Sequence, residues 1–219
     1  MPSKRKSADH LIFWPLVILT LIIWFFYRSI FQFPVWFDEI IGKAIFFGLP
    51  VWVYLQLTRS GQIVETLAPT KINSGLLLGI AIGGLYGFAG LIMGALNAGG
   101  RMLLVPLFLS TQFWWEFFLA LMTAMWETLF FFSFIMTVIR EKGRYWPLAG
   151  QVILTALIFF VFHLPNSLLR FTGPALMTQL LLMFLFGLGQ ALLFARWRNF
   201  YTLVISHAVW GMALLIHLS

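Results

Sequence analysis

Apolar runs, broken by short polar or Gly/Pro-bearing intervals, divide the chain from end to end. Seven of them, at about 11–31, 39–57, 74–96, 113–139, 147–169, 174–195 and 200–218, are long enough to cross a bilayer as helices. About 20 residues suffice for roughly 30 Å of hydrocarbon. The pattern predicts an all-α fold, a polytopic transmembrane helix bundle of about seven spans, and leaves no stretch for a separate soluble domain, so 1–219 reads as a single integral membrane domain. The segment RMLLVPLFLS, 101–110, is too short to span and contains Pro106; it reads as an interfacial or re-entrant piece, with an eighth span as the alternative. The first run follows MPSKRKSADH without a small-residue cleavage site, which predicts a retained anchor. Trp114, Trp115, Trp146, Trp197 and Tyr201 fall at the proposed span ends, where amphipathic rings favour the headgroup level.

Inside the third run, Gly75, Gly79, Gly83 and Gly87 recur every four residues, followed by Gly90 and Gly94. A helix face without side chains packs backbone to backbone. The stripe predicts packing within the monomer at the centre of the bundle, a dimer face being the alternative; the oligomeric state is not otherwise specified.

Composition agrees with the pattern: 61% of residues are hydrophobic, 10% are charged, and the mean hydropathy is +0.94. The net charge of +7 does not require a nucleic acid partner. Ten of the fourteen basic residues, Lys4, Arg5, Lys6, Arg59, Lys71, Arg140, Lys142, Arg144, Arg196 and Arg198, fall at ends that share one membrane face, against Arg28, Lys43, Arg101 and Arg170 on the other. That asymmetry predicts a multi-pass protein of the cell membrane with a cytoplasmic N-terminus and an outer C-terminus, its partner being the lipid bilayer. Cysteine is absent, which excludes disulfides, thiolate metal sites and a cysteine nucleophile.

Seven acidic residues occur, and Glu127 in MWETLFFFSF is the one near the middle of a span. Asp9, Asp38, Glu39, Glu65 and Glu141 are assigned to loops, and Glu116 follows the Trp114-Trp115 pair. Helical spacing puts Thr123, Ala124 and Ala120 on the small, polar side of Glu127, while Phe130, Phe131, Phe132 and Phe134 cover the other directions. The carboxyl is therefore expected to point into the bundle as a buried, neutral acid able to exchange a proton with water. The plain alternative is a hydrogen bond tying two helices. Two histidines also lie in spans, His163 in IFFVFHLPNSLLR and His207 in YTLVISHAVWGMALL. Either alone reads as an interhelical hydrogen bond; with Glu127 they are the groups needed to position and deprotonate a water.

ETLFFFS (127–133), FFVFH (159–163) and SHAVWG (206–211) resemble, in order and spacing, the three motifs of the CAAX protease and bacteriocin-processing family (CPBP, or Abi) of intramembrane proteases. The family patterns are EExxxR, FxxxH and HxxxN. Phe159 and His163 match the second. His207 matches the third with Gly211 in place of Asn, and Glu127 matches the first with Thr128 at the second Glu and Phe132 at the Arg. The resemblance covers about 113–215 and implies a divergent member. It implies peptide-bond hydrolysis in or beside the membrane, with Glu127 activating a water and His163 and His207 positioning it and stabilising the oxyanion. Phe159, Thr128, Asn166 and Gly211 would be supporting positions. The substrate would be a membrane-embedded or prenylated peptide or protein, and no cofactor is implied.

Three alternatives stand beside this reading. One is a catalytically inactive relative that binds a membrane peptide, as in self-immunity. Another is a bis-histidine haem or quinone protein. The third is a zinc site on Glu127, His163 and His207. Counting 1.5 Å per residue from Gln151 and Tyr201 puts His163 roughly 18 Å deep and His207 roughly 9 Å. Their convergence therefore requires tilt, a helix broken at Pro165, or an offset span.

Overall fold

Every predicted run becomes a helix. Leu11–Ile30, Val35–Thr58, Gly61–Ala89, Thr111–Lys142, Leu148–Arg170 and Gly173–Trp197 are long and apolar enough to cross a membrane, and Phe200–Met212 forms a shorter apolar helix. The computed structural model describes residues 3–97 and 111–218, which are 91% helical and without strands. Residues 101–110, and with them the choice between a re-entrant piece and an eighth span, lie outside the described residues. The chain is a multi-pass, all-α membrane protein. Its helices are numbered α1 (Ser3–Ile30), α2 (Val35–Thr58), α3 (Gly61–Thr66), α4 (Ile72–Asn97), α5 (Thr111–Lys142), α6 (Leu148–Arg170), α7 (Gly173–Trp197) and α8 (Phe200–Leu218).

The axis of the bundle is α5. Its C-terminal half, TLFFFSFIM, is apolar around nearly the whole circumference, and a helix of that kind is stable only when surrounded. Phe130, Phe131, Phe132, Phe134, Ile135, Met136 and Val138 are all fully buried. Thr128–Met136 is wound as π-helix, and α2 is π-helical at Asp38–Gly42 and Ala44–Gly48, on either side of Lys43. Such turns are rare and concentrate at functional sites. The close approach of α2 to α5 depends on Gly48, where a Cβ would stand 2.8 Å from the Trp126 ring.

The glycine stripe of α4 faces α8. A Cβ on Gly75 would lie 2.6 Å from Tyr201 Cβ, one on Gly79 2.7 Å from Ile205 Cβ, and one on Gly83 2.9 Å from Val209 Cβ. Each glycine thus sits over a successive turn of α8, and the packing is internal to the monomer. The central position expected for this helix is not found. Only one face of α4 is small, and the others expose Leu77, Ile80, Leu85 and Phe88, so α4 lies at the periphery with α8 between it and α5.

The basic residues of one predicted face do gather together. Lys71 Nζ donates to the Arg198 carbonyl at 3.1 Å and Arg140 to the Ala195 carbonyl at 2.7 Å, and Arg140, Lys142, Arg144 and Arg198 line one cleft. Arg198 ends α7 in the left-handed conformation (φ 47°), its N–H donating to the Phe194 carbonyl at 2.9 Å. The connection to α8 is therefore very short.

Candidate active site

Glu127 is the last α-helical residue of α5, at the point where the π turns begin. Its side chain is 4% exposed. Three other helices bring a nitrogen to it. Lys43 Nζ from α2 lies 2.7 Å from Oε1, while Nε2 of His163 from α6 and Nε2 of His207 from α8 lie 3.3 and 3.5 Å from Oε2. The two oxygens therefore have different company. Oε1 holds an ammonium; Oε2 makes no hydrogen bond among the described residues and faces two imidazoles.

The imidazoles differ as well. Nδ1–H of His163 donates to the Phe159 carbonyl one turn back, at 2.8 Å. A neutral ring so bonded carries its lone pair on Nε2, the nitrogen nearest Glu127. Nδ1 of His207 is buried without a hydrogen-bond partner among the described residues, which leaves Nε2 free to carry the proton. Aromatic rings fix both orientations: Phe159 stacks on His163 with centroids 4.1 Å apart, and Phe186 meets His207 edge-on at 4.7 Å. Trp24 Nε1 donates to the Phe162 carbonyl at 2.9 Å, tying α1 to α6 beside His163.

Convergence of the histidines comes from an offset, not from a break. α6 runs without interruption through Pro165 from Leu148 to Arg170. Tyr145 and Trp146, just before α6, are exposed, whereas Asn199, Phe200 and Thr202 at the start of α8 are buried. The last helix begins deeper in the bundle, so the shorter count to His207 ends at the level of His163.

Two site residues escape the sequence reading. Lys43, assigned above to the outer face, is 5% exposed, and Glu39, assigned to a loop, lies in the first π turns of α2. Lys43 Nζ is 2.5 Å from Glu39 Oε2, and the Thr123 hydroxyl donates to the same oxygen. Glu127 is consequently one half of a buried ion pair and not the isolated neutral acid expected from its apolar flanks. The available signal was the spacing of Glu39 and Lys43, four residues apart inside a run already drawn as a span.

Of the supporting positions, Phe159 is at the site, under both histidines. Thr128 Oγ1 and Asn166 Oδ1 are buried and make no hydrogen bond among the described residues, so neither atom joins the cluster. A Cβ on Gly211 would meet Ala120 Cβ at 3.9 Å, an ordinary contact distance. Phe132 is fully buried, its ring centroid 5.9 Å from that of Phe159 and 6.5 Å from that of Phe194. No group of three or more His, Cys, Asp or Glu side chains among the described residues is arranged to hold a metal ion, and Oε1 is already engaged by Lys43. Both Nε2 atoms lie against one carboxylate oxygen, which leaves a shared haem no axial position between them.

Residues 108–213 match the family described as type II CAAX prenyl endopeptidase Rce1-like. Over this segment the chain belongs to the Rce1-like family. The matched segment contains Glu127, His163 and His207, but not Lys43 or Glu39. The family lies within the CPBP group, comprises CAAX-type intramembrane proteases acting on prenylated peptides and proteins, and needs no cofactor. No curated protein and no solved structure matches the chain.

Proposed function

We propose that this Rce1-like chain is an intramembrane endopeptidase that cleaves a prenylated or membrane-proximal peptide with a water activated by Glu127. The observation that carries the reading is the convergence of two histidines from separate helices on the oxygen of Glu127 that nothing else engages. Glu127 Oε2 takes one proton of the water as its oxygen bonds to the scissile carbonyl carbon. The lone pair on His163 Nε2 accepts the other water proton, which orients the nucleophile. His207, free to carry its proton on Nε2, donates to the oxyanion as it forms. When the carbon–nitrogen bond breaks, the proton held by Glu127 passes to the leaving amine. Glu127→Gln preserves shape but cannot act as a base, so cleavage of a prenylated peptide should fall by at least about two orders of magnitude at unchanged Tm. Retained cleavage overturns the mechanism.

A second reading is favoured by Thr128, Phe132 and Gly211, which place no charge or amide where the family motifs have Glu, Arg and Asn. On it the chain binds the same peptides without cutting them. A parent protein that captures a prenylated peptide and leaves it whole would establish that reading. We also infer a cytoplasmic N-terminus, since burial of Lys43 leaves Arg28, Arg101 and Arg170 as the basic residues opposite the ten. Labelling of introduced cysteines, with no native cysteine to interfere, tests it: a cytoplasmic C-terminus reverses the assignment.

A further inference from the structure

Two carboxylates and one ammonium lie in contact inside the bundle, on α2 and α5: Glu39, Lys43 and Glu127. With neutral histidines the trio carries one net negative charge. Its surroundings are as follows: α2 contributes Lys43 and Glu39, α5 Glu127 and the Thr123 hydroxyl, α6 His163 and α8 His207. One proton accepted by Glu127 brings the trio to neutrality. Without Lys43, the same two carboxylates would be a buried pair of like charges, which proteins avoid by protonating one or both. A protonated Glu127 cannot act as a base.

We propose that Lys43 is a positioning residue for peptide hydrolysis, clamping Glu127 by Oε1 so that an ionised Oε2 is held toward His163 and His207, with Glu39 and Thr123 anchoring the clamp. The inference rests on the endopeptidase reading and extends it to a helix outside the segment that matches the family. Positions 128 and 132 on the helix of Glu127 itself carry no charge, so the cation must come from elsewhere, and α2 brings it. The local construction of α2 suits that task. Lys43 joins two π segments, and Gly48, five residues on, lets the helix come close enough to Trp126 for the ammonium to reach the next residue, Glu127.

Lys43 touches no substrate on this account, so its removal should appear in kcat and not in KM. Lys43→Met, of similar length and no charge, should lower kcat for a prenylated peptide by 100-fold or more with KM within about threefold of the parent. In Lys43→Ala, added propylammonium should restore at least a tenth of the lost rate, which a purely structural lysine would not allow. Glu39→Gln leaves the contact of Lys43 with Glu127 in place and keeps the fold; its kcat should fall three- to tenfold, because a lysine held by one carboxylate alone binds Glu127 more tightly and makes it a poorer base. If Lys43→Met fails to fold, the Glu39→Gln result decides. Parental kcat in Lys43→Met or in Glu39→Gln, or a loss in Lys43→Ala that propylammonium does not relieve, overturns the proposal. A parent without peptidase activity overturns the endopeptidase reading instead, and an active parent with an active Lys43→Met overturns only the role of Lys43.

Discussion

The seam between α4 and α8 and the seam between α2 and α5 both join helices inside the membrane, by opposite means. The first removes side chains until backbones touch, at Gly75, Gly79 and Gly83. The second buries three charges and lets them satisfy one another. Lipid makes both workable, since helices there associate through close packing and polar contacts more than through hydrophobic burial. The difference lies in tolerance. A glycine seam should fail when volume is added and ignore charge; a charged seam should fail when one charge is taken away and accept a modest change in shape.

Removing one charge is expected to have the largest effect on stability. Glu127→Leu strips Lys43 of a contact in a nearly dry site, and loss of one partner of a buried pair costs about 3–5 kcal/mol. An interhelical hydrogen bond in lipid would cost only about 1 kcal/mol, so reversible unfolding in detergent distinguishes the two. Combining Glu127→Leu with Lys43→Met should recover part of the loss; an additive double variant would mean the two residues are not coupled. Adding volume comes next. Gly79→Leu places a branched side chain where a Cβ alone would lie 2.7 Å from Ile205 Cβ, and overpacking of this kind costs about 1–3 kcal/mol. A Gly79→Leu protein that melts with the parent would dissolve the comparison. The smallest effect belongs to Gly84→Ala, one residue off the stripe and facing open space. It should be neutral or stabilising by at most about 1 kcal/mol, because alanine is the better helix former. Destabilisation by Gly84→Ala would mean that another surface covers this face.

The same contrast explains what could be read beforehand. A glycine stripe is a local periodicity, written within a dozen residues of one helix, and it named its own face correctly. What it did not contain was the identity of the opposing helix or the depth of α4 in the bundle, since neither depends on α4 alone. Glu127, His163 and His207 were legible because isolated ionisable groups stand out in apolar runs. Their meeting point was obscured by the assumption that α6 and α8 start at one level, which the buried turn at Asn199 and Phe200 corrects. Lys43 and Glu39 were harder. They lie near the start of a span, where charges normally face headgroups, and their function depends on a carboxylate 84 residues beyond Lys43 in the chain. Charge counting by position has no means of recognising such a pair.

The π winding of α5 has one more consequence. A π turn contains one residue more than the α turn it replaces, so the stretch 128–136 holds extra length that an α-helix would not need. Deleting a residue there would act less as a shortening than as a change of phase. α-Helical pairing would resume, and everything after the deletion would rotate by about 100° relative to Glu127. Arg140 would swing away from the Ala195 carbonyl, and the polar anchorage at the basic face would no longer be in step with the carboxylate deep in the bundle. Insertions and deletions, more than substitutions, are the changes by which this helix could trade one orientation of its glutamate for another.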